Sequence, residues 1–364
     1  RRFTAGDIAR LDRALDDIQQ DVWKRVHGRK RSSQVLVDVD SHVHNVFGHQ
    51  KEGTDYTYKG GFGYHPLIFS IAGTQECLRI INRPGNAESS TGTAAALDDL
   101  LPMLKKRFSR VVIRGDSAFA KRPIFESCEK HKAFFAVVSP QERNFFALAE
   151  SLDEKLWRPF HARRATQPIE RKRKQRQRGV DVRRARTEAR GKRDLRLREQ
   201  WIAEIPYKPT RSKNAYRLII RRQRIDEHEG GMLFERWRYR YVLTNLPKTV
   251  STVEAINMTY QRCDQEKVIE QLQNGVAAMR MPTGGFLANH AYLVCARLAH
   301  NLKAWIAQLA LPDQVVRWEW KRFRRSFVLI AARIIHSGRR TIVKLAKSHR
   351  FAGQIERALA TLQT

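Results

Sequence analysis

Val35-Leu36-Val37-Asp38-Val39-Asp40-Ser41 alternates apolar residues with acidic ones, the period-2 pattern of a β-strand. The alternation predicts Val35, Val37 and Val39 on one face and Leu36, Asp38 and Asp40 on the other. Two carboxylates on a strand that is otherwise core-like are costly unless they are paired or hold a metal. The plainer reading is a strand-end Asp capping the following loop. The strand by itself leaves both readings open.

The rest of the composition narrows the partner. The chain has 364 residues, enough for two or three domains, with 69 Lys and Arg against 37 Asp and Glu and a formal net charge of +32. That surplus predicts a polyanion, with nucleic acid first and a membrane surface second. No amphipathic basic helix with a strong aromatic face supports the membrane, and no apolar run is long enough to span one. Cys77, Cys128, Cys263 and Cys295 are dispersed and form no CxxC pair, so neither a zinc ribbon nor a disulfide framework is expected. A cytoplasmic, nucleoid-associated bacterial protein fits. The sequence begins at Arg1 rather than Met, so part of the N-terminal region is expected to be missing.

Outward from the acidic strand, residues 3–27 have helical spacing (Ile8, Leu11, Leu15, Ile18, Val22, Val26), with Thr4 or Asp7 as cap. His42, His44 and His49 follow the strand, but their spacing matches no familiar zinc motif. Gly60, Gly61 and Gly63 lack the Lys-Ser/Thr of a phosphate loop. Strands are predicted at 64–71, 77–82, 111–119 and 133–139, and helices at 92–107 and 122–132. The 111–119 strand carries Asp116. If its strand neighbours the first, Asp40 and Asp116 lie side by side.

Residues 158–200 change character. Arg171, Lys172, Arg173, Lys174, Arg176 and Arg178 form one basic run, and Arg183 and Arg184 begin another. Such a run is either a solvated segment or a phosphate-binding element, and the whole-chain charge favours the second. Strands are predicted at 200–206, 215–224 and 233–244, with Gly230-Gly231 as the last turn. The alternation Arg236-Trp237-Arg238-Tyr239-Arg240-Tyr241 suits either a nucleic-acid backbone or a half-exposed strand. A helix is predicted over 250–279, where Arg262 and Glu266 share a face at i, i+4. An apolar helix is predicted over 286–310, with His290 and His300 as packing residues. A basic hairpin (326–335 and 341–345) and a helix at 352–362 complete the chain.

Five segments in order resemble the DDE transposases of bacterial insertion sequences, in the group with a Tyr-Arg-Glu-Lys helix signature. They are Val37-Asp38-Val39-Asp40-Ser41, then Tyr64-His65-Pro66-Leu67 with Arg83-Pro84-Gly85-Asn86, and Arg114-Gly115-Asp116-Ser117-Ala118-Phe119. Arg262-x-x-x-Glu266 with Asn274-Gly275, and the run at 332–340, complete the set.

The resemblance implies an α/β fold, an RNase H-like mixed sheet flanked by helices and interrupted by a basic, largely β insertion. The corresponding division is an N-terminal helical segment at 1–33 (the remainder of a DNA-binding region), core at 34–140, insertion at 141–247, core with the Glu helix at 248–312, and a basic hairpin and helix at 313–364. It also implies metal-dependent cutting and joining of double-stranded DNA, transposon ends and target, by a homodimer. Two Mg²⁺ ions, with Mn²⁺ as substitute, would be held by Asp40, Asp116 and Glu266, with Asp38 the alternative first ligand. Arg262 and Tyr260 would contact DNA. Two positions depart from the pattern: Thr259 stands where the signature Tyr belongs, one residue before Tyr260, and Gln273 where the Lys belongs. A catalytically impaired DNA-binding remnant of a transposase and an RNase H-like nuclease are the alternatives.

Overall fold

In the computed structural model the stretch at 35–41 lies within a strand. The described residues are 3–28, 31–47, 50–141, 143–161, 195–210, 212–227, 237–346 and 349–363. They form two units, Arg1–Phe134 with Arg262–Thr364, and Phe135–Gln261.

The first unit opens with α1 (Ala5–His27). Thr4 and Asp7 cap it jointly, each side chain accepting from the other's backbone N–H. Ile8, Leu15, Val22 and Trp23 are buried, whereas Ile18, expected on the same stripe, is exposed. The chain continues through β1 (Ser32–Ser41), the short β2 (His44–Asn45), β3 (Asp55–Tyr56) and β4 (Phe62–Tyr64), then β5 (Leu67–Ile71), β6 (Cys77–Ile81), α2 (Thr93–Arg107), β7 (Phe108–Gly115) and α3 (Arg122–Lys130).

Here the strands run in the order β6-β5-β1-β7. β5 lies antiparallel to β1, β6 antiparallel to β5, and β7 parallel to β1. A parallel neighbour requires a crossover, and α2 supplies it. This is the RNase H-like arrangement expected from the resemblance. The strand predicted at 64–71 is broken at His65-Pro66, because proline cannot donate to a ladder. The glycine-rich stretch builds a separate small sheet, β2-β4-β3. A Cβ on Gly63 would lie 2.2 Å from the His44 carbonyl oxygen, so the glycine serves close backbone approach rather than phosphate binding.

The second unit begins near the start of β8 (Phe134–Ser139). It contains α4 (Arg143–Glu150), β9 (Arg158–Pro159), β10 (Leu195–Tyr207), β11 (Tyr216–Glu227), β12 (Trp237–Thr244) and α5 (Thr252–Tyr260). Its sheet runs β8-β12-β11-β10-β9, antiparallel at each junction. On one face Arg222 is enclosed by Trp157, Trp237 and Trp201, at 4.2, 4.8 and 5.6 Å from the ring centroids, and donates twice to Glu154. The Gly230-Gly231 turn lies outside the described residues.

The first unit resumes with α6 (Cys263–Glu270), a wide turn at Gln271–Gly275, α7 (Phe286–Ala310), α8 (Trp320–Phe323), the hairpin β13 (Ala332–Ser337) and β14 (Arg340–Leu345), and α9 (Ala352–Gln363). The continuous helix predicted over 250–279 is absent. Gln261 leaves the helical region (φ −82°, ψ 51°) and Arg262 becomes the N-cap of α6. No Gly or Pro marks this break. Arg262 heads the helix and makes its contacts on β1, so the predicted i, i+4 pair with Glu266 does not form. Val268 and Leu272 pack with Tyr64, Ile68, Ile80 and Leu293, and bury one side of α6 against β5, β6 and α7. Arg297 and Arg79 both bind Asp12 and Asp16, tying α1 to α7 and β6. His300 is a packing residue as expected, with Nε2 2.8 Å from the Gln75 carbonyl oxygen.

Candidate active site

The register of β1 on β7 separates the two acidic residues of the opening stretch. Asp38 sits opposite Arg114 in that ladder, and continuing the register by two residues sets Asp40 level with Asp116. Asp38 is fully buried and Arg114 is 1% exposed. Arg114 Nε donates to Oδ1 at 2.6 Å and Nη2 to Oδ2 at 2.7 Å, so both oxygens of Asp38 are engaged. Burial pushes the Asp38 carboxyl above its ordinary value, against the pull of that guanidinium.

Asp40, at the strand's open end, is 26% exposed. Its Oδ1 accepts the Ser41 N–H at 2.7 Å, and Oδ2 lies 4.0 Å from Arg262 Nη2. Burial pushes its pKa up to about 6, opposed by the Ser41 N–H and Arg262 and reinforced by the charges of Asp116 and Glu266. Asp40 thus feels the charges of Asp116 and Glu266, although the three come from a strand, a turn and a helix.

Asp116 follows β7 directly and caps the short turn Ser117–Phe119, its Oδ1 accepting the Ala118 N–H at 2.9 Å. Gly115 permits that turn, since a Cβ there would meet the Phe119 Cβ at 2.7 Å. Glu266 is exposed in the first turn of α6. Three neighbours hold that turn. Arg262 Nη2 donates to the Val39 carbonyl at 3.2 Å, and Asp264 accepts the Gly73 N–H at 3.0 Å. Gln265, buried, accepts from the Ser70 hydroxyl and donates to the Ile68 carbonyl.

Sequence reasoning passed over Asp264 and Gln265, whose only signal is adjacency to Glu266. It also passed over His65 as a site residue. That ring is buried, 2.8 Å (Nδ1) from the Ala87 carbonyl oxygen and 2.9 Å (Nε2) from Ser41 Oγ. A carbonyl only accepts, so Nδ1 carries the proton and Nε2 accepts from Ser41, beside Asp40.

Asp40 and Asp116, each held by a backbone N–H through one oxygen, and the exposed Glu266 are hard donors of the kind Mg²⁺ takes. The repulsion that Asp116 and Glu266 exert on Asp40 is what a cation would relieve. Among the described residues, however, no three His, Cys, Asp or Glu side chains close on one point as a finished metal site. Chemistry and elements fit such a metal. The final approach of the ligands is not made.

The remaining predicted residues are dispersed. Tyr260, in the second unit, lies under the Arg221 guanidinium, 4.3 Å from the ring centroid. Thr259 is buried with its hydroxyl donating to the Ala255 carbonyl, and Gln273 is exposed in the wide turn. Arg171, Lys172, Arg173, Lys174, Arg176, Arg178, Arg183 and Arg184 lie outside the described residues. Among the described residues no helix is long and apolar enough to cross a membrane.

The family model described as transposase DDE domain group 1 matches residues 1–364. No curated protein matches the sequence significantly. Among solved structures, the piggyBac transposase synaptic complex with hairpin DNA overlaps with a TM-score of 0.39 at 12% identity, over 84% of this chain and 53% of that one. The chain thus spans about half the length of that transposase. The Mos1 mariner catalytic domain overlaps with a TM-score of 0.22 at 14% identity, over 42% of this chain and 75% of that one. The NurA nuclease from Sulfolobus solfataricus gives 0.27 at 8%, over 73% and 92%. At these TM-scores the family match carries the assignment.

Proposed function

The chain belongs to the family of group 1 DDE transposase domains, and we propose that it cuts DNA phosphodiesters at an insertion-sequence end and joins the freed end to a target, with Asp40, Asp116 and Glu266 as the metal-binding carboxylates. The observation that carries this reading is the parallel β1–β7 register, which pairs Asp38 with Arg114 and, extended by two residues, sets Asp40 beside Asp116 just past the end of β7, where the charges of Asp116 and Glu266 reach Asp40. Asp40 is preferred to Asp38 because both oxygens of Asp38 are already taken by Arg114. Bound Mg²⁺ or Mn²⁺ would supply Lewis-acid activation of the attacking and leaving oxygens.

The chain's own residues do the positioning. Ser41 N–H and Ala118 N–H each orient one carboxylate, leaving its second oxygen for the metal. Arg262 tethers the start of α6 to β1 and keeps counter-charge beside Asp40. The +32 charge favours double-stranded DNA as partner. A homodimer pairing two DNA ends in a bacterial cytoplasm belongs to the same proposal.

The test is nicking of supercoiled plasmid and of duplexes carrying the element's own ends, with Mg²⁺ or Mn²⁺ against chelator. Metal-dependent nicking that D40N, D116N and E266Q lose is the expected result. Absence of nicking by the wild type with either metal would sink the catalytic reading.

One observation favours a second reading, a DNA-binding remnant impaired in strand transfer. The signature Tyr position holds Thr259, whose buried hydroxyl is spent on its own helix. Nicking without joining is that reading's outcome.

A further inference from the structure

On the face of the second unit's sheet opposite to Arg222, arginines crowd without carboxylates. Arg221 on β11 stands directly across from Arg240 on β12, and Arg238 lies two residues further along β12 on the same face. Like charges directly across a ladder are destabilising. Two other arginines of this unit are answered by carboxylates, Arg222 by Glu154 and Arg217 by Glu204. Among the described residues no carboxylate pairs with Arg221, Arg238 or Arg240. Two buried donors also lack partners among the described residues, Arg221 Nε and the Tyr260 hydroxyl. Burial keeps the Tyr260 phenol above its usual pKa against the pull of Arg221, Arg240 and Arg238, so it holds its proton at neutral pH.

We propose that Arg221, Arg240, Arg238 and the Tyr260 hydroxyl form a phosphate site that grips the DNA backbone. The cluster consists of donors, which excludes a metal and selects an anion rich in oxygen acceptors. Arg238 and Arg240 are about 7 Å apart along the strand, so a continuous polyanion engages both better than a single small ion. The site rests on the reading of DNA as partner and adds a backbone contact remote in sequence from the acidic triad.

The test is fluorescence anisotropy of the full chain with a duplex of about 30 base pairs across a salt series, beside calorimetric titration of inorganic phosphate alone. R221Q and R240Q should each weaken DNA binding roughly 5- to 20-fold and flatten the log–log salt slope by about one phosphate contact. R240K should keep the slope. Y260F should weaken binding about 2- to 5-fold with the slope unchanged. R240Q relieves repulsion, so its melting temperature should not fall below that of the wild type. Wild-type DNA binding that R221Q and R240Q retain with full slope would overturn the site and leave the transposase reading standing. No DNA binding by the wild type would overturn both. Inorganic phosphate binding that these variants lose, with DNA affinity untouched, would reassign the cluster to a free anion and overturn the DNA contact.

Discussion

The open end of β1 and the Arg221–Arg240 face are electrostatic opposites built in the same way. In the first, Asp40 is pressed by the charges of Asp116 and Glu266. In the second, Arg221 is pressed by Arg240 and Arg238. Each stands near a fully answered charge of its own kind: Asp38 with Arg114, and Arg222 with Glu154. A buried, hydrogen-bonded pair is a structural device, and removing one partner strands the other. Unanswered like charges cost stability in the free protein and are relieved by a ligand of opposite sign. Two acidic residues on one strand face therefore have different work, and so do two arginines adjacent on one strand.

The contrast breaks most sharply at the triad. D116N is expected to lower metal-dependent nicking by roughly 10²–10³-fold or more, with DNA affinity changed less than about twofold. A comparable loss of DNA affinity would mean that Asp116 acts on the fold. The next largest effect separates Asp38 from Asp40. D38N removes the carboxylate that neutralises the buried Arg114 and should cost about 3–5 kcal/mol in urea unfolding. A D38N protein as stable as wild type would end the structural reading of that pair.

D40N should instead stabilise the metal-free protein at pH 7.5, by at most about 3 kcal/mol. The sign follows from burial, which pushes the folded Asp40 carboxyl up to about 6, above the ordinary value of 3.8. The folded state then binds the extra proton, and the wild type loses stability as pH rises from 4 through 6. The difference between D40N and wild type should accordingly vanish near pH 4 in thermal melts with chelator. Mg²⁺ must displace the same proton, so its affinity should weaken below about pH 6. R262Q has the smallest expected effect. Removing the cation beside Asp40 should move the midpoint of the nicking pH profile upward by a few tenths of a unit. A downward shift would remove Arg262 from the account of Asp40.

Much of the framework was legible without coordinates. Thr4 and Asp7 mark the first helix by a capping box, and the 286–310 helix has the predicted limits. Asp116 at a strand end and Glu266 on a helix were legible because each belongs to a short local motif. The helix break at Gln261-Arg262 was not, because it carries no Gly or Pro and accompanies the docking of Arg262 on a distant strand. Asp264, Gln265 and His65 were passed over for the same reason. Each is tied to the site by a partner far away in sequence. Arg221 carries no local signal either, since its meaning depends on which residue lies across the ladder.

The alternation at 35–41, the order of the acidic motifs and the surplus of basic charge were determined by the sequence alone, because side-chain period and net charge are local or additive. Which carboxylate of the opening strand is closed off and which is left open was decided by tertiary structure. Pairing is a property of register between separate strands: β7 places Arg114 against Asp38 and leaves Asp40 beyond the end of the ladder.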